Sequence, residues 1–387
     1  MATTRIYWQT KSTPAELRGL LAELGRTYPI AQGEGRGLQV AFEKAPEPGL
    51  LEVRRQGGQA TVRYGATAQA GRAVGALLAD GLVADGRALR ESTPFRSFGI
   101  MLDCSRNAVM KVEHFKRWLR QLALLGYDTV MLYTEDTYEL PGEPYFGYQR
   151  GPYTAAELKE VDGYAARLNI ELIPCIQTLG HLANVLRHAA YRDVKDTSSV
   201  MLVGEKKTYQ LIEKMLTRWR EVCRTDRMHL GMDETHDLGR GRYLDRNGYR
   251  DGFELFNQHL AKVVQLCRKH GYEPMIWSDM YFRLGSKNGD YYDQQTKIPP
   301  SVVKKIPKAA ELVYWDYYHA DAAFYLDWIE RHRQLGKDPI MGSGIWTWSR
   351  YWYDRHITER TAGPCIDACR QAEVKEVFFT QWGDNGA

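Results

Sequence analysis

The chain has 387 residues, 44% of them hydrophobic and 26% charged, and its 52 Lys and Arg against 48 Asp and Glu leave a formal charge of +4. That balance, with no long run of one sign, excludes a dedicated nucleic-acid binder, which needs a concentrated basic face. No stretch reaches the ~20 apolar residues of a membrane span, so no membrane partner is expected, and Met1 to Lys11 has no apolar core of a secretory signal. The expected setting is the cytoplasm. Six cysteines, Cys104, Cys175, Cys223, Cys267, Cys365 and Cys369, lack a paired CxxC pattern and read as reduced and buried rather than as a zinc site. The aromatic surplus is more informative: 10 Trp, 24 Tyr and 11 Phe, of a kind that lines sites for flat-faced ligands such as sugars.

In chain order, residues 1–92 read as a small α+β accessory domain. Arg5 to Trp8 and Leu38 to Glu43 are strand-like, and Leu17, Leu20, Leu21 and Leu24 share one face of a helix from Pro14 to Tyr28. Leu51 to Arg54 and Ala60 to Tyr64 predict a hairpin around Gly57-Gly58, and Thr67 to Asp80 a second helix.

From residue 93 onward the pattern becomes regular. Short apolar runs suited to buried parallel strands occur at Phe98 to Cys104, Thr129 to Tyr133, Glu171 to Ile176, Met228 to Met232, Pro274 to Ser278, Leu312 to Tyr317, Ile340 to Trp346 and Val377 to Gln381. Helical segments separate them, such as Glu113 to Leu125 and Ala155 to Leu168, the latter with Thr154 and Glu157 spaced as a capping box. Eight strand–helix alternations predict an α/β chain with a (β/α)8 TIM barrel over residues 93–387. A doubly wound sheet would show a glycine-rich phosphate loop after an early strand, and none is present. The eighth strand ends near Trp382 and the chain stops at Ala387, so the eighth helix is expected to be missing, as in a piece of a longer protein.

Barrel active sites lie at the C-terminal ends of the strands. Those ends read Asp103-Cys104-Ser105-Arg106, Tyr133-Thr134-Glu135-Asp136, Gly180-His181, Asp233-Glu234, Trp277-Ser278-Asp279, Trp315-Asp316-Tyr317-Tyr318, Trp346-Thr347-Trp348 and Trp382-Gly383-Asp384. Carboxylates, one Arg, one His and a ring of Trp and Tyr suit a neutral polyhydroxylated ligand. The centre is His229-Leu230-Gly231-Met232-Asp233-Glu234. A bare Asp-Glu pair is most often a solvated turn. At a barrel strand end, however, adjacent carboxylates point in different directions, and an aromatic-walled pocket can keep one protonated as a general acid and the other ionised.

These segments together resemble glycoside hydrolase family 20, the exo-β-N-acetylhexosaminidases, in an intracellular bacterial-type branch. The family's fourth-strand His-x-Gly-Gly-Asp-Glu is similar to His229 to Glu234, with Met232 for the second Gly. Leu102-Asp103-Cys104-Ser105-Arg106-Asn107 resembles its first-strand Asp-x-x-Arg, Pro174 to His181 its segment ending Pro-Gly-His with Leu179 for Pro, and Trp382-Gly383-Asp384 its Trp-x-Glu with Asp for Glu. The resemblance implies removal of terminal β-linked N-acetylglucosamine or N-acetylgalactosamine by substrate-assisted retaining hydrolysis. Glu234 is then the acid and base, and Asp233 orients the 2-acetamido group whose carbonyl oxygen attacks the anomeric carbon.

On the same resemblance Arg106 and Asp384 bind sugar hydroxyls, and Trp277, Trp346 and Trp382 wall the acetamido pocket. Trp315 and Tyr317 share a strand face, with Tyr317 standing in for a Tyr-x-Asp motif that is not evident. Glu135 and Asp136 support the Asp-Glu pair or His181, itself a hydrogen-bonding residue rather than a metal ligand. His236 and Asp237, in the next loop, face either the leaving group or solvent. No cofactor or metal is implied; the partner is the terminal N-acetylhexosamine of an oligosaccharide or glycoconjugate. Two other readings stay open: a metal-dependent barrel hydrolase using Asp103, His181, His229, Asp233 and Glu234, and a non-catalytic amino-sugar-binding protein on a hydrolase scaffold.

Overall fold

The computed structural model describes residues 5–79, 82–106 and 109–384, so Asp80 and Asn107 lie outside the described residues. By its contacts the chain divides into two compact units, Met1–Ile100 with Met110–Val130 and Glu160–Leu172, and Met101–Val109 with Met131–Lys159 and Ile173–Ala387.

The leading segment supplies strands β1 (Ile6–Trp8), β2 (Ile30–Gln32), β3 (Leu38–Lys44), β4 (Leu50–Gln56), β5 (Gln59–Tyr64) and β6 (Ala88–Ser92), with helices α1 (Ala15–Gly25) and α2 (Thr67–Leu78). They form one six-stranded sheet in the order β2-β1-β3-β5-β4-β6. The expected hairpin is present as antiparallel β4 and β5, with Gln56 opposite Gln59. β1 and β2 run parallel, Ile6 opposite Ile30, because α1 crosses between them and buries Leu17, Leu20, Leu21 and Leu24; β3 lies parallel on the other side of β1, Leu38 opposite Ile6. Within the first unit α2 packs on α3 (Val112–Leu125) at glycine positions. A Cβ at Gly71 would lie 2.4 Å from the Ala123 carbonyl oxygen and one at Gly75 2.1 Å from that of Leu124.

The eight apolar runs become β7 (Ser97–Asp103), β8 (Thr129–Tyr133), β9 (Glu171–Cys175), β10 (Arg227–His229), β11 (Glu273–Trp277), β12 (Glu311–Trp315), β13 (Ile340–Gly344) and β14 (Glu376–Gln381). They close into a barrel in sequence order, β14 meeting β7. Between them lie α4 (Ala155–Arg167), α5 (Ala183–Leu186), α6 (Lys206–Val222), α7 (Arg242–Asn247), α8 (Gly252–Lys269), α9 (Asp279–Gly285), α10 (Pro300–Val303), α11 (Ala322–Arg333) and α12 (Arg355–Gln371). The capping box at α4 is made: the Thr154 N–H donates to Glu157 Oε2 at 2.8 Å and the Glu157 N–H to Thr154 Oγ1 at 3.2 Å. Carboxylate N-caps also open α8, α11 and α12, through Asp251, Asp321 and Asp354.

The bore holds Met101, Met131, Tyr133, Ile173, Cys175, Met275, Trp277, Val313 and Phe378, so the barrel is a packed core whose chemistry belongs to its rim. All six cysteines are buried and none forms a disulfide. Among the described residues no helix is long and apolar enough to cross a membrane, and no helix follows β14.

Candidate active site

β10 stops at His229, three residues before the end of its apolar run, because the chain turns left-handed there. Gly231 has φ +68°, Met232 φ +73° and Glu234 φ +50°. Only glycine fits at 231, since a Cβ would lie 2.1 Å from Gln177 Oε1 and 2.7 Å from the Ile176 carbonyl oxygen. At Met232 the conformation costs a side-chain-bearing residue ~1–2 kcal/mol. Burying the Met232 side chain completely returns ~1.5–3 kcal/mol, so Met is tolerated where the resembling motif has glycine. His229 supports the turn: it is buried, its Nδ1 accepts the Gly231 N–H at 3.1 Å, and burial pushes its imidazole down to about 3. It is a neutral structural histidine.

The turn separates the two carboxylates. The Asp233 side chain is 11% exposed and that of Glu234 39%, so one carboxyl is set into the wall and the other faces open space. Gln177 Nε2 donates to Asp233 Oδ1 at 2.9 Å, and His181 Nε2 lies 3.1 Å from Asp233 Oδ2 and 3.4 Å from Glu234 Oε2. Burial alone would push the Asp233 carboxyl up, but His181 and Gln177 outweigh it and hold it at about 2. Burial likewise opposes the His181 charge, and Arg106, 3.4 Å from Nδ1, adds to that; the two carboxylates prevail and lift His181 to about 10. Asp233 and His181 are therefore a buried ion pair at neutral pH. The Glu234 N–H donates to Asp279 Oδ2 at 3.1 Å.

Beside the pair, Arg106 gathers three acids: Asp384 Oδ1 at 2.8 Å, Asp103 Oδ2 at 3.3 Å and Glu135 Oε1 at 3.3 Å. Its guanidinium lies 4.7 Å from the centre of the Tyr133 ring and 5.0 Å from that of Trp382. Asp103 Oδ2 also accepts the Gly383 N–H at 2.9 Å, tying the ends of β7 and β14 together. Burial pushes the Glu135 and Asp384 carboxyls up against the Arg106 charge. Such a cluster presents both donors and acceptors to a polar ligand.

An aromatic wall completes the rim. Trp315 stacks on Tyr317 at 5.4 Å and 19°, and Trp346 on Trp348 at 4.3 Å and 23°. The Trp382 indole N–H donates to the Tyr317 hydroxyl at 3.0 Å, and the Trp346 indole N–H to the Tyr317 carbonyl at 2.9 Å. Tyr317 is thus fixed by two tryptophans, and its O–H hydrogen stays available to an acceptor.

Arg106, Glu135, His181, Asp233, Glu234, Trp315, Tyr317, Trp346, Trp382 and Asp384 come together at this end of the barrel. Two expected residues stand apart. Asp136 is buried and its carboxyl pairs with Arg150 at 3.1 Å rather than supporting His181 or the Asp-Glu pair; Arg150 also donates to the Ser105 carbonyl at 2.6 Å, so Asp136 anchors the loop after β8. Trp277 is 1% exposed in the bore against His229 and Phe378 and touches the rim through Trp382, 6.1 Å away. His236 pairs with the Tyr291 hydroxyl. Of the ligand set of the metal reading, His181, Asp233 and Glu234 meet as an ion-paired group, while Asp103 is held by Arg106 and His229 by the Gly231 N–H. Among the described residues no group of three or more His, Cys, Asp or Glu is placed to hold a metal ion.

Gln177, Asp279, Tyr291 and Tyr318 join the site without a role in the sequence motifs. Gln177 carries a signal, a polar residue directly after the apolar run of β9. Tyr318 is half exposed beside Trp315 and Trp346, and burial followed by the Glu234 charge pushes its phenol up to about 12.

The family model for the glycosyl hydrolase family 20 catalytic domain matches residues 94–353. The human protein named hexosaminidase D is 27% identical over 236 residues, 58% of this chain and 46% of that protein, so the match spans about half of that relative's length. Two solved structures share the fold. A mutant Streptomyces plicatus beta-hexosaminidase in complex with its product GlcNAc superposes with a TM-score of 0.69 at 16% identity, covering 98% of this chain and 81% of that one. The Vibrio harveyi exo beta-N-acetylglucosaminidase bound to N-acetylglucosamine gives 0.66 at 18% identity, covering 90% and 58%.

Proposed function

The chain belongs to glycosyl hydrolase family 20, and from that premise we propose that it is an exo-β-N-acetylhexosaminidase, removing terminal β-linked N-acetylglucosamine or N-acetylgalactosamine through an oxazoline intermediate. The observation that carries this reading is the division of labour between neighbours. Asp233 is a buried anion held by His181 and Gln177, while Glu234 is open to the pocket. In the first step Glu234 gives its proton to the glycosidic oxygen and the C1–O bond breaks. The acetamido carbonyl oxygen bonds to C1 from the opposite face, and the Asp233 carboxylate accepts the amide N–H and stabilises the positive charge of the closing ring. In the second step the Glu234 carboxylate takes a proton from water, the water oxygen bonds to C1 and the acetamido group is released. General acid–base help of this kind contributes ~100 to 10,000-fold.

Arg106 and Asp384 are assigned to the hydroxyls of the terminal sugar, Trp315, Trp346 and Trp382 to its apolar faces, and the Tyr317 hydroxyl to the acetamido oxygen. Glu135 holds Arg106 in place. Six buried cysteines without a disulfide support work in a reducing, cytoplasmic setting.

The test is hydrolysis of paired aryl N-acetyl-β-glucosaminide and N-acetyl-β-galactosaminide by wild type and Glu234→Gln. Turnover by wild type, with a loss in the variant that is severe for poor leaving groups and milder for activated ones, is expected, along with strong inhibition by a thiazoline that mimics the oxazoline. Robust cleavage of a plain β-glucoside would sink the substrate-assisted route.

A further inference from the structure

Asp279, the first residue of α9, is 6% exposed and lies behind the Asp-Glu pair. Its Oδ2 accepts the Glu234 N–H at 3.1 Å, while Oδ1 is buried without a hydrogen-bond partner. The Trp315 indole N–H also donates to this carboxyl, a contact that by itself favours the anion. Next to it is a cavity of about 10 Å³ lined by Ser278, Tyr291, Tyr292, Tyr314 and His332, which is room for about one water molecule.

The groups that face Asp279 are Asp233 and Glu234 from the turn after β10, Tyr291 and Tyr292 from the loop after α9, Tyr314 from β12 and His332 from α11. None supplies a positive charge, since burial holds His332 down at about 4. Arg283, on Asp279's own helix, is turned to the Tyr291 ring, 5.3 Å away, and to the Gly289 carbonyl. Burial, and then the Asp233 charge, push the Asp279 carboxyl well above the usual carboxylate range. Burial and the neighbouring Asp233 anion outweigh the Glu234 and Trp315 donors, so the anion, with Oδ1 left without a hydrogen bond, is disfavoured. The neutral acid is the favoured form and keeps Oδ2 as an acceptor.

We propose that Asp279 is an uncharged positioning residue for the general acid, holding the backbone of Glu234 in its left-handed conformation and aligning it with the Trp315 wall. The inference rests on the hexosaminidase reading of Glu234. At φ +50° Glu234 occupies a region that persists only when its surroundings enforce it, and the Asp279 bond to its N–H is one such restraint. Because Asp279 is neutral, it enforces the turn without placing a second anion beside the proton that Glu234 must release and recover. Asp233 remains the only fixed charge of the three acids.

The experiment compares wild type, Asp279→Asn and Asp279→Leu on aryl N-acetyl-β-glucosaminides whose leaving groups span a range of acidity, and records infrared difference spectra of wild type against Asp279→Asn at neutral pH. Asn reproduces the neutral acceptor, so kcat within about threefold of wild type and an unmoved basic limb of the pH profile are expected. Leu removes the acceptor, so kcat on poor leaving groups is expected to fall about tenfold or more with little change in KM, and less on activated ones. A protonated-carboxyl band present in wild type and missing from the Asn variant is also expected. The proposal is overturned if the basic limb moves in the Asn variant, if Asn loses as much as Leu, if folded Leu protein keeps full kcat, or if no protonated-carboxyl band is lost. Should the Leu protein not fold, the Asn profile and spectrum still decide. Wild-type protein without hexosaminidase turnover would defeat the reading of Glu234, and the infrared band would then judge the charge state of Asp279 by itself.

Discussion

His181 and Asp233 make the electrostatics of the site a matter of single side chains. The folded His181 imidazolium sits at about 10, above its ordinary 6.5, so its contribution to stability is complete below about 6.5 and is lost as pH rises through 10. Asp233 is depressed to about 2, so its contribution is present above about 3.8 and is lost as pH falls through 2. Removing one partner of a buried pair leaves the other uncompensated, at a cost of ~3–5 kcal/mol. His181→Ala should therefore lose ~3–5 kcal/mol in urea unfolding at pH 6, a gap that narrows as pH is raised toward 10. A difference that stays flat from pH 6 to 10 would mean that His181 is not charged in the native protein. The Asp-Glu pair and the aromatic strand ends were legible in the sequence because chemistry of that kind clusters at strand ends. The pairing of Asp136 was not, because Arg150 reaches it from a loop that no periodicity locates.

At the scale of elements, α2 and α3 pack at a distance that their glycines set. By helix propensity alone, Ala at Gly75 would gain ~1 kcal/mol. A Cβ there would lie 2.1 Å from the Leu124 carbonyl oxygen, and forcing such an overlap costs ~1–3 kcal/mol. The backbone of α3 cannot swing aside as a side chain would. Gly75→Ala is thus expected to lower the urea midpoint and Gly71→Ala to do so less; an increase for either would show that α3 yields. The barrel strands were readable as eight apolar runs, seven with bounds close to those found. The exception, β10, ends early because apolar Leu230 and Met232 continue the run while the backbone turns left-handed at Gly231 and Met232, keeping single hydrogen bonds to the strands on either side. β2 is too short to show a period, and β6 alternates exposed with half-buried residues and has no apolar face to detect.

For the whole molecule, the contact-based division matters more than the boundary suggested by composition at residue 92. The first unit takes in Met110–Val130 and Glu160–Leu172, and so includes α3 and most of α4 along with the leading sheet. Deleting residues 1–92 would strip α3 of its packing on α2 and uncover the Ala123–Leu124 stretch that Gly71 and Gly75 cover. We expect a 93–387 fragment to lack near-UV circular dichroism and to aggregate, whereas a fragment with the native signal would show that the barrel closes unaided.

The six buried thiols give this chain a built-in clock. Burial holds the Cys175 and Cys267 thiols up, and a water-soluble thiol reagent reacts with thiolate that solvent can reach. Native protein should be silent to such a reagent, and each sulfur should become labelled only as fast as its own element opens. Cys223, at the C-terminal cap of α6, should report fraying first. Cys175, on β9 in the bore, should report only when the barrel itself comes apart, so the order of labelling would trace how the molecule unlocks from its rim to its centre.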